Sequence, residues 1–220
     1  LAFDDLRLDA VLMPLAVLAM FAGSLVAIFQ DDIKRMLAYS SVAQIGYQVL
    51  GLSMASVPGL TGGIVHLFNH ALMKSGLFLV MACVLLRTGS TRIDALRGLG
   101  RTMPLTFGAF VVGGLSLVGV PLTVGFVSKW YLVVATLKSG RWPLAVLILL
   151  SSLLALIYIW RVVEVAYFQE RPEDAPPVRE APLSLLIPTW VLIGGTLFVG
   201  VFTSFSVGVA REAAQMLVGQ

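Results

Sequence analysis

Charged side chains are scarce in this 220-residue chain, at 12% against the ~25% of an ordinary soluble domain. So few charges cannot clothe a solvated surface, which excludes a free-standing globular enzyme. The net charge of +3 requires no nucleic-acid partner, because the basic residues sit in loops beside apolar runs. Cysteine is almost missing. Cys83 stands alone, makes no intrachain disulfide, and lies in an apolar run where it reads as a small packing residue. There is no glycine-rich phosphate loop, no CxxC pair and no nucleophile elbow, so phosphate, zinc and acyl-transfer chemistry find no residues to work with. Histidine occurs only at His66 and His70. Two imidazoles four residues apart on a helix without a carboxylate are weak ground for a metal or haem, and neither metal nor cofactor is expected. The opening residues, LAFDDLRLD, carry acids and no basic stretch before an apolar core, so no secretory signal is read. The chain starts with Leu rather than Met and reads as processed, trimmed or part of something longer.

What the chain has in quantity is apolar length. Hydrophobic residues make up 58% of it and its mean hydropathy is +0.94. It therefore reads as an all-α integral membrane protein with about six transmembrane helices in one membrane domain over 1–220, since about 20 apolar residues span the bilayer core. The first span is Asp9 to Phe29, ended by Gln30–Asp31–Asp32. The second runs from about Ile33 to Ala55, followed by a short turn, SVPG. The third, from Gly59 to Leu86, closes at Arg87–Thr88–Gly89–Ser90. A basic loop with Arg92, Arg97 and Arg101 then leads to Pro104, well placed to start a helix.

The segment from Pro104 to Leu137 is 34 residues long, about 50 Å as one helix and too much for one crossing. Gly113–Gly114, Gly119, Pro121 and Gly125 interrupt it, and such residues break or kink a helix. It reads as one broken crossing of two half-helices, Pro104–Val118 and about Val124–Leu137, with GVPLTVG unwound between them. A fifth span covers about Pro143 to Phe168. The loop QERPEDAPPVREAP reads as flexible and solvated, a sixth span covers about Leu183 to Ser206, and Val207 to Gln220 forms an amphipathic tail.

Several polar groups stand out inside these spans. His66, His70 and Lys74 fall at i, i+4 and i+8 on one helix face, with Lys74 near mid-span. A charge there disfavours insertion by at least ~2.5–3.5 kcal/mol, and intramembrane ionisable residues default to ion paths and proton relays. The plainer alternative is a lysine paired with a neighbouring helix that only holds the bundle together. In the second span Ser40, Gln44, Tyr47 and Gln48 form a polar stripe. Such groups do not titrate there, but they hold water between groups that do or simply bond helix to helix. Lys129 follows the break, near carbonyls freed by it, with Thr123 and Ser128 close in sequence. Desolvation makes an ammonium easier to deprotonate, so two lysines in one hydrated cavity can exchange a proton. Glu164, three residues after Arg161, reads as its local ion-pair partner. Asp31 and Asp32 favour a helix start, beside Lys34 and Arg35 at the membrane rim. Trp130, Tyr131, Trp142, Tyr158, Trp160 and Tyr167 read as interfacial anchors.

The basic residues also give an orientation. Lys34, Arg35, Arg87, Arg92, Arg97, Arg101, Arg161, Arg171 and Arg179 fall on one side, and Arg7, Lys138, Arg141 and Arg211 on the other. With Lys74 and Lys129 within the membrane, these account for all 15. The richer side is expected to be cytoplasmic, placing both chain ends on the outer face of a bacterial inner membrane.

Three motifs in order, DDIKRMLAYSSVAQIGY, HLFNHALMKSGLFL and GVPLTVGFVSKWYL, resemble the antiporter-like subunits shared by respiratory complex I, membrane-bound hydrogenases and Mrp-type antiporters. The run RGLGRTMPLTFGAFVVGGLSLVGVPLTVGFVSKWYL is especially similar to the D component of the Mrp-type multisubunit monovalent cation/proton antiporter. The likeness covers essentially all 220 residues. It implies a fold of two inverted five-helix repeats, each with a broken helix and half of a proton path. This chain resembles the second repeat, over about 9–168, plus the final transmembrane helix at about 183–206. The resemblance also implies a central lysine at Lys74, its histidines at His66 and His70, and a broken-helix lysine at Lys129, a position held by Lys in some members and Glu in others. The family's first repeat, with its Glu–Lys pair, has no counterpart here, so the chain looks like the C-terminal half of a longer subunit.

The function that the resemblance implies is a proton-translocating subunit of a monovalent cation (Na+)/H+ antiporter complex. Protons would pass through His66, His70, Lys74 and Lys129, with Ser40, Gln44, Tyr47, Thr123 and Ser128 supporting a hydrated path. The implied partners are other membrane subunits, the bilayer, protons and Na+; the chain is a transporter subunit more than an enzyme. The alternative is a proton-pumping, non-redox subunit of an NADH-quinone oxidoreductase or a membrane-bound hydrogenase. A third reading is a membrane scaffold whose buried lysines are paired and inert.

Overall fold

The computed structural model describes residues 8–219. Arg7, counted on the outer side, and Gln220, the last residue of the tail, lie outside them. The helices are α1 (Leu8–Ile28), α2 (Ile33–Ser53), α3 (Val57–Thr88), α4 (Leu99–Thr102), α5 (Pro104–Val118), α6 (Val124–Lys138), α7 (Trp142–Phe168), α8 (Leu183–Val201) and α9 (Ser204–Val218), with a 3₁₀ turn at Ile93–Leu96. Among the described residues there is no strand, and α1, α3, α7 and α8 are long and apolar enough to cross a membrane. Polar residues at 40, 41, 44 and 48 keep α2 below that hydropathy, although its 21 residues have the length. With 15 residues each, α5 and α6 are short of a bilayer's width and follow one another across the break at 119–123.

Local sequence explains the boundaries. Asp32 caps α2 by accepting the Arg35 N–H at 3.1 Å. Ser56 caps α3 and Pro58 stands in its first turn, so this helix starts two residues before the expected Gly59. Gly89, with φ +70°, ends α3 and donates its N–H to Leu85 O. Near the C-terminus the crossing is shorter and the tail longer than expected. The chain breaks at Phe202–Thr203, and α9 already starts at Ser204. On α9, Val207, Ala210 and Ala214 are buried, with Val207 and Ala210 packed beside Val65 of α3.

The α3 helix is central, with α2, α5, α6, α8 and α9 packed around it. A large apolar cluster fills one end of the bundle, including Ile33, Leu37, Leu77, Val84, Phe107 and Val162. A smaller one around Met20, Tyr47, Leu50, Leu132 and Ile148 fills another part. Many large apolar side chains face outward on α1, α7 and α8, while Ser40, Gln44, His66, Asn69, Lys74, Ser128 and Lys129 are buried. This inversion of the soluble pattern is what a lipid-facing bundle with a polar interior requires.

Two expectations are corrected at the rim. Arg161 does not pair with Glu164 one turn along α7. It reaches across to Asp31 at 2.7 Å and donates to Ile28 O and Gln30 O at 2.9 Å each. The loop after α7 is also tied down: Glu180 accepts the Leu105 N–H at 2.7 Å and the Thr106 hydroxyl, which caps α5.

Candidate functional site

The site lies where α2, α3, α6 and α7 meet. Lys74, on α3, is 6% exposed and donates to Leu37 O at 2.7 Å and to the Ser40 hydroxyl, both on α2. One turn back, His70 Nδ1 accepts from the Gln48 amide at 3.3 Å. Another turn back, His66 is fully buried between Ser128 of α6, 2.8 Å from Nδ1, and Gln44 of α2, 3.1 Å from Nε2. The Gln44 oxygen accepts from Nε2–H, so Nδ1 accepts from the Ser128 hydroxyl. The predicted face of α3 is therefore real, and all three of its polar groups meet α2.

Lys129 approaches from α6. It is also 6% exposed, and its ammonium donates to Leu117 O and Val118 O at 2.9 Å each. Those carbonyls are open because Gly119, at φ +95°, stops α5 there. The negative end of a helix dipole is a favourable place for a cation. The ammonium also lies 5.0 Å from the centre of the Tyr47 ring, which in turn tilts against His66 at 5.2 Å. Hydroxyl, amide, imidazole and aromatic groups of α2, α3 and α6 thus line the space around both lysines.

Among the described residues the ion pairs are Arg92–Asp94, Arg141–Asp9 and Arg161–Asp31, and none involves either buried lysine. No group of three or more metal-ligating side chains occurs among them. Ser40, Gln44, Tyr47 and Ser128 converge on the lysines and histidines. Thr123 does not: it is buried, and its hydroxyl donates to Val120 O at 2.6 Å to shape the turn between α5 and α6.

Two further polar groups escaped the sequence reading. Asn69, three residues after His66, donates to Val124 O at 2.7 Å and joins α3 to the start of α6. Tyr158 is no interfacial anchor: it stands mid-helix in α7 and is 0% exposed. Its seven-residue spacing from buried Ser151 was the available signal. Trp130, Trp142 and Trp160 are exposed, as interfacial anchors would be.

The family described as NADH:quinone oxidoreductase/Mrp antiporter, TM, matches residues 1–155. The chain belongs to this antiporter-like membrane family. It is 43% identical over 200 residues to NADH-quinone oxidoreductase subunit N of Desulforudis audaxviator, a match covering 86% of this chain and 40% of that one. Its fold is similar to a chain in the structure of the Mrp complex from Dietzia sp. DQ12-45-1b, with a TM-score of 0.91, 27% identity, and coverage of 99% of this chain and 49% of that one. It is also similar to a chain of respiratory complex I from Thermus thermophilus with bound NADH, with a TM-score of 0.83 and 25% identity. That match covers 97% of this chain and 46% of that chain. The chain thus spans less than half the length of each of these antiporter-like relatives, which are named as parts of multisubunit membrane complexes.

Proposed function

We propose that this chain relays protons through the membrane interior by way of Lys74, His70, His66 and Lys129. One observation carries the reading: two buried ammonium groups meet carbonyls and a hydroxyl, and no carboxylate, among the described residues. Ammonium groups held inside a membrane without a counter-charge mark ion paths and proton relays. A paired, inert scaffold would have carboxylates there instead. The relay works as one membrane domain, with the second antiporter-like repeat over about 9–168. In the assembled complex, Lys74→Ala and Lys129→Ala each lower proton translocation at least ~10-fold while the complex still forms. Lys74→Arg is also inactive, because a guanidinium holds its proton permanently. Normal translocation in the two alanine variants would sink the proposal.

The complex is proposed to be a quinone-reducing one, with this chain in the place of subunit N, and the 43% identity to such a subunit supports it. The second reading, the D component of an Mrp-type Na+/H+ antiporter, is favoured by the fold match to the Mrp complex. Membrane vesicles separate them. Inhibitor-sensitive quinone reduction coupled to proton movement supports the first, and proton movement that depends on Na+ and on no electron donor supports the second. The membrane is proposed to be the bacterial cell membrane, with both chain ends on the outer side. A cysteine placed at Arg211 is then labelled from outside, and labelling only from the cytoplasm would reverse the orientation.

A further inference from the structure

His66 is fully enclosed, and both of its ring nitrogens are occupied by neighbours that are chemically unequal. On Nε2 stands the amide oxygen of Gln44 at 3.1 Å. An amide oxygen accepts a hydrogen bond but takes on a proton only in strong acid, so this side is closed to transfer while the contact lasts. On Nδ1 stands the Ser128 hydroxyl at 2.8 Å, with one hydrogen and two lone pairs. That oxygen also lies 3.3 Å from Val124 O and 3.3 Å from Gly125 O, one turn back along α6. Such back-bonding is ordinary for a helical serine. A short contact to a buried imidazole 62 positions away is not. Val124 O already accepts from the Asn69 amide at 2.7 Å, which leaves Gly125 O the freer of the two. The Ser128 hydrogen therefore has a resting place on either side of its oxygen, reached by turning about Cβ–Oγ with no heavy atom displaced.

We infer that Ser128 is a proton-carrying residue, the hydroxyl through which His66 exchanges its proton with the α6 side of the site. This rests on the proton-relay reading above. In loading, a protonated water on the α6 side gives its proton to a lone pair of the Ser128 oxygen. The Ser128 O–H that points at the ring breaks as the new one forms, and its proton bonds to Nδ1. One water O–H and one serine O–H are broken, and one serine O–H and one N–H are made. The positive charge passes from water to imidazole, and the serine is neutral before and after. The ring now has two N–H donors, and both neighbours accept. Gln44 Oε1 keeps its bond, and the Ser128 oxygen takes Nδ1–H once its own hydrogen faces the Gly125 carbonyl. Neutral and charged imidazole are thus both fully bonded in one heavy-atom arrangement. Unloading runs the same transfers in reverse.

The test is proton translocation by the membrane complex that contains this chain, reconstituted in vesicles and run in light and in heavy water. Ser128→Ala is expected to lower the rate at least ~10-fold. Its residual rate should fall further in heavy water than the wild-type rate does, because proton transfer has become limiting. Ser128→Thr keeps a hydroxyl that bonds the same carbonyls within a helix, and is expected to retain at least about half of the rate. A rate for Ser128→Ala within about twofold of wild type overturns the inference. So does an equal heavy-water effect in the two, or a threonine variant that assembles and is as slow as alanine. Should threonine prove too large for the complex to form, the heavy-water comparison on the alanine variant decides alone. Full translocation by Lys74→Ala and Lys129→Ala would remove the relay reading itself. Inactive lysine variants beside a fast Ser128→Ala remove the Ser128 role alone.

Discussion

Lys129 owes its position to what stands opposite it. A Cβ at residue 119 would come 3.1 Å from Lys129 Cδ, and the backbone there has φ +95°. Gly119→Ala therefore strains the turn and pushes the ammonium away from Leu117 O and Val118 O. The expected loss is at least ~1 kcal/mol of stability, read as a lower melting temperature in detergent, with proton translocation falling further than the melt alone explains. An unaltered melt would count against this account. At this scale the sequence was most legible where it was least comfortable, since a lysine within an apolar span stands out whatever surrounds it. Tyr158 and Asn69 did not stand out. Tyrosine is common at span ends, and an amide in a membrane helix has many ordinary uses, so only the tertiary placement distinguishes them.

Among the elements, the start of α2 offers a pH-dependent contact outside the membrane. Burial alone would raise the Asp32 carboxyl, but the Thr91 hydroxyl and the N–H groups of Arg35 and Lys34 outweigh it and hold the group below its ordinary value of 3.8. A depressed folded value means stability that is present at neutral pH. It fades as pH falls below 3.8 and is gone once pH is below the folded value. The same residue sits where Ile33 N–H meets Thr91 O and Ile93 N–H meets Asp31 O, both at 2.9 Å. Acidification should thus speed hydrogen exchange at Ile33 and Ile93 before the bundle opens, and Asp32→Ala should do so at neutral pH at a loss of about 1 kcal/mol. Equal protection in that variant would refute the link. A second joint is tighter still. A Cβ at residue 125 would lie 1.7 Å from Ser116 O, so α6 starts hard against the end of α5. Gly125→Val is expected to prevent accumulation of the protein, with ~3 kcal/mol or more lost to overpacking; normal yield would contradict this. Helix limits were readable because Pro104, Gly89 and Gly119 act locally. The end of α8 was not, since nothing in LFVGVFTSFSVG marks a stop at Val201.

Across the whole molecule, Arg161 links α7 to the turn after α1. The salt bridge itself is half in solvent, with Arg161 38% and Asp31 72% exposed, and such pairs contribute ~0–1 kcal/mol. The two carbonyls that Arg161 also holds depend on it more. Arg161→Ala should therefore lower the melting temperature clearly more than Asp31→Ala, and equal effects would show that the ion pair is what matters. Sequence spacing pointed to Glu164 because i, i+3 neighbours are visible in a string of letters. Asp31 lies 130 positions away and becomes a neighbour only when α1, α2 and α7 pack together.

The ammonium of Lys129 also fastens the end of α5 through Leu117 O and Val118 O, so in the proposed relay charge and bend are coupled there. Discharging it leaves the two half-helices freer to pivot. By reciprocity, in the proposed relay a load that bends the joint between α5 and α6 alters how firmly residue 129 keeps its proton.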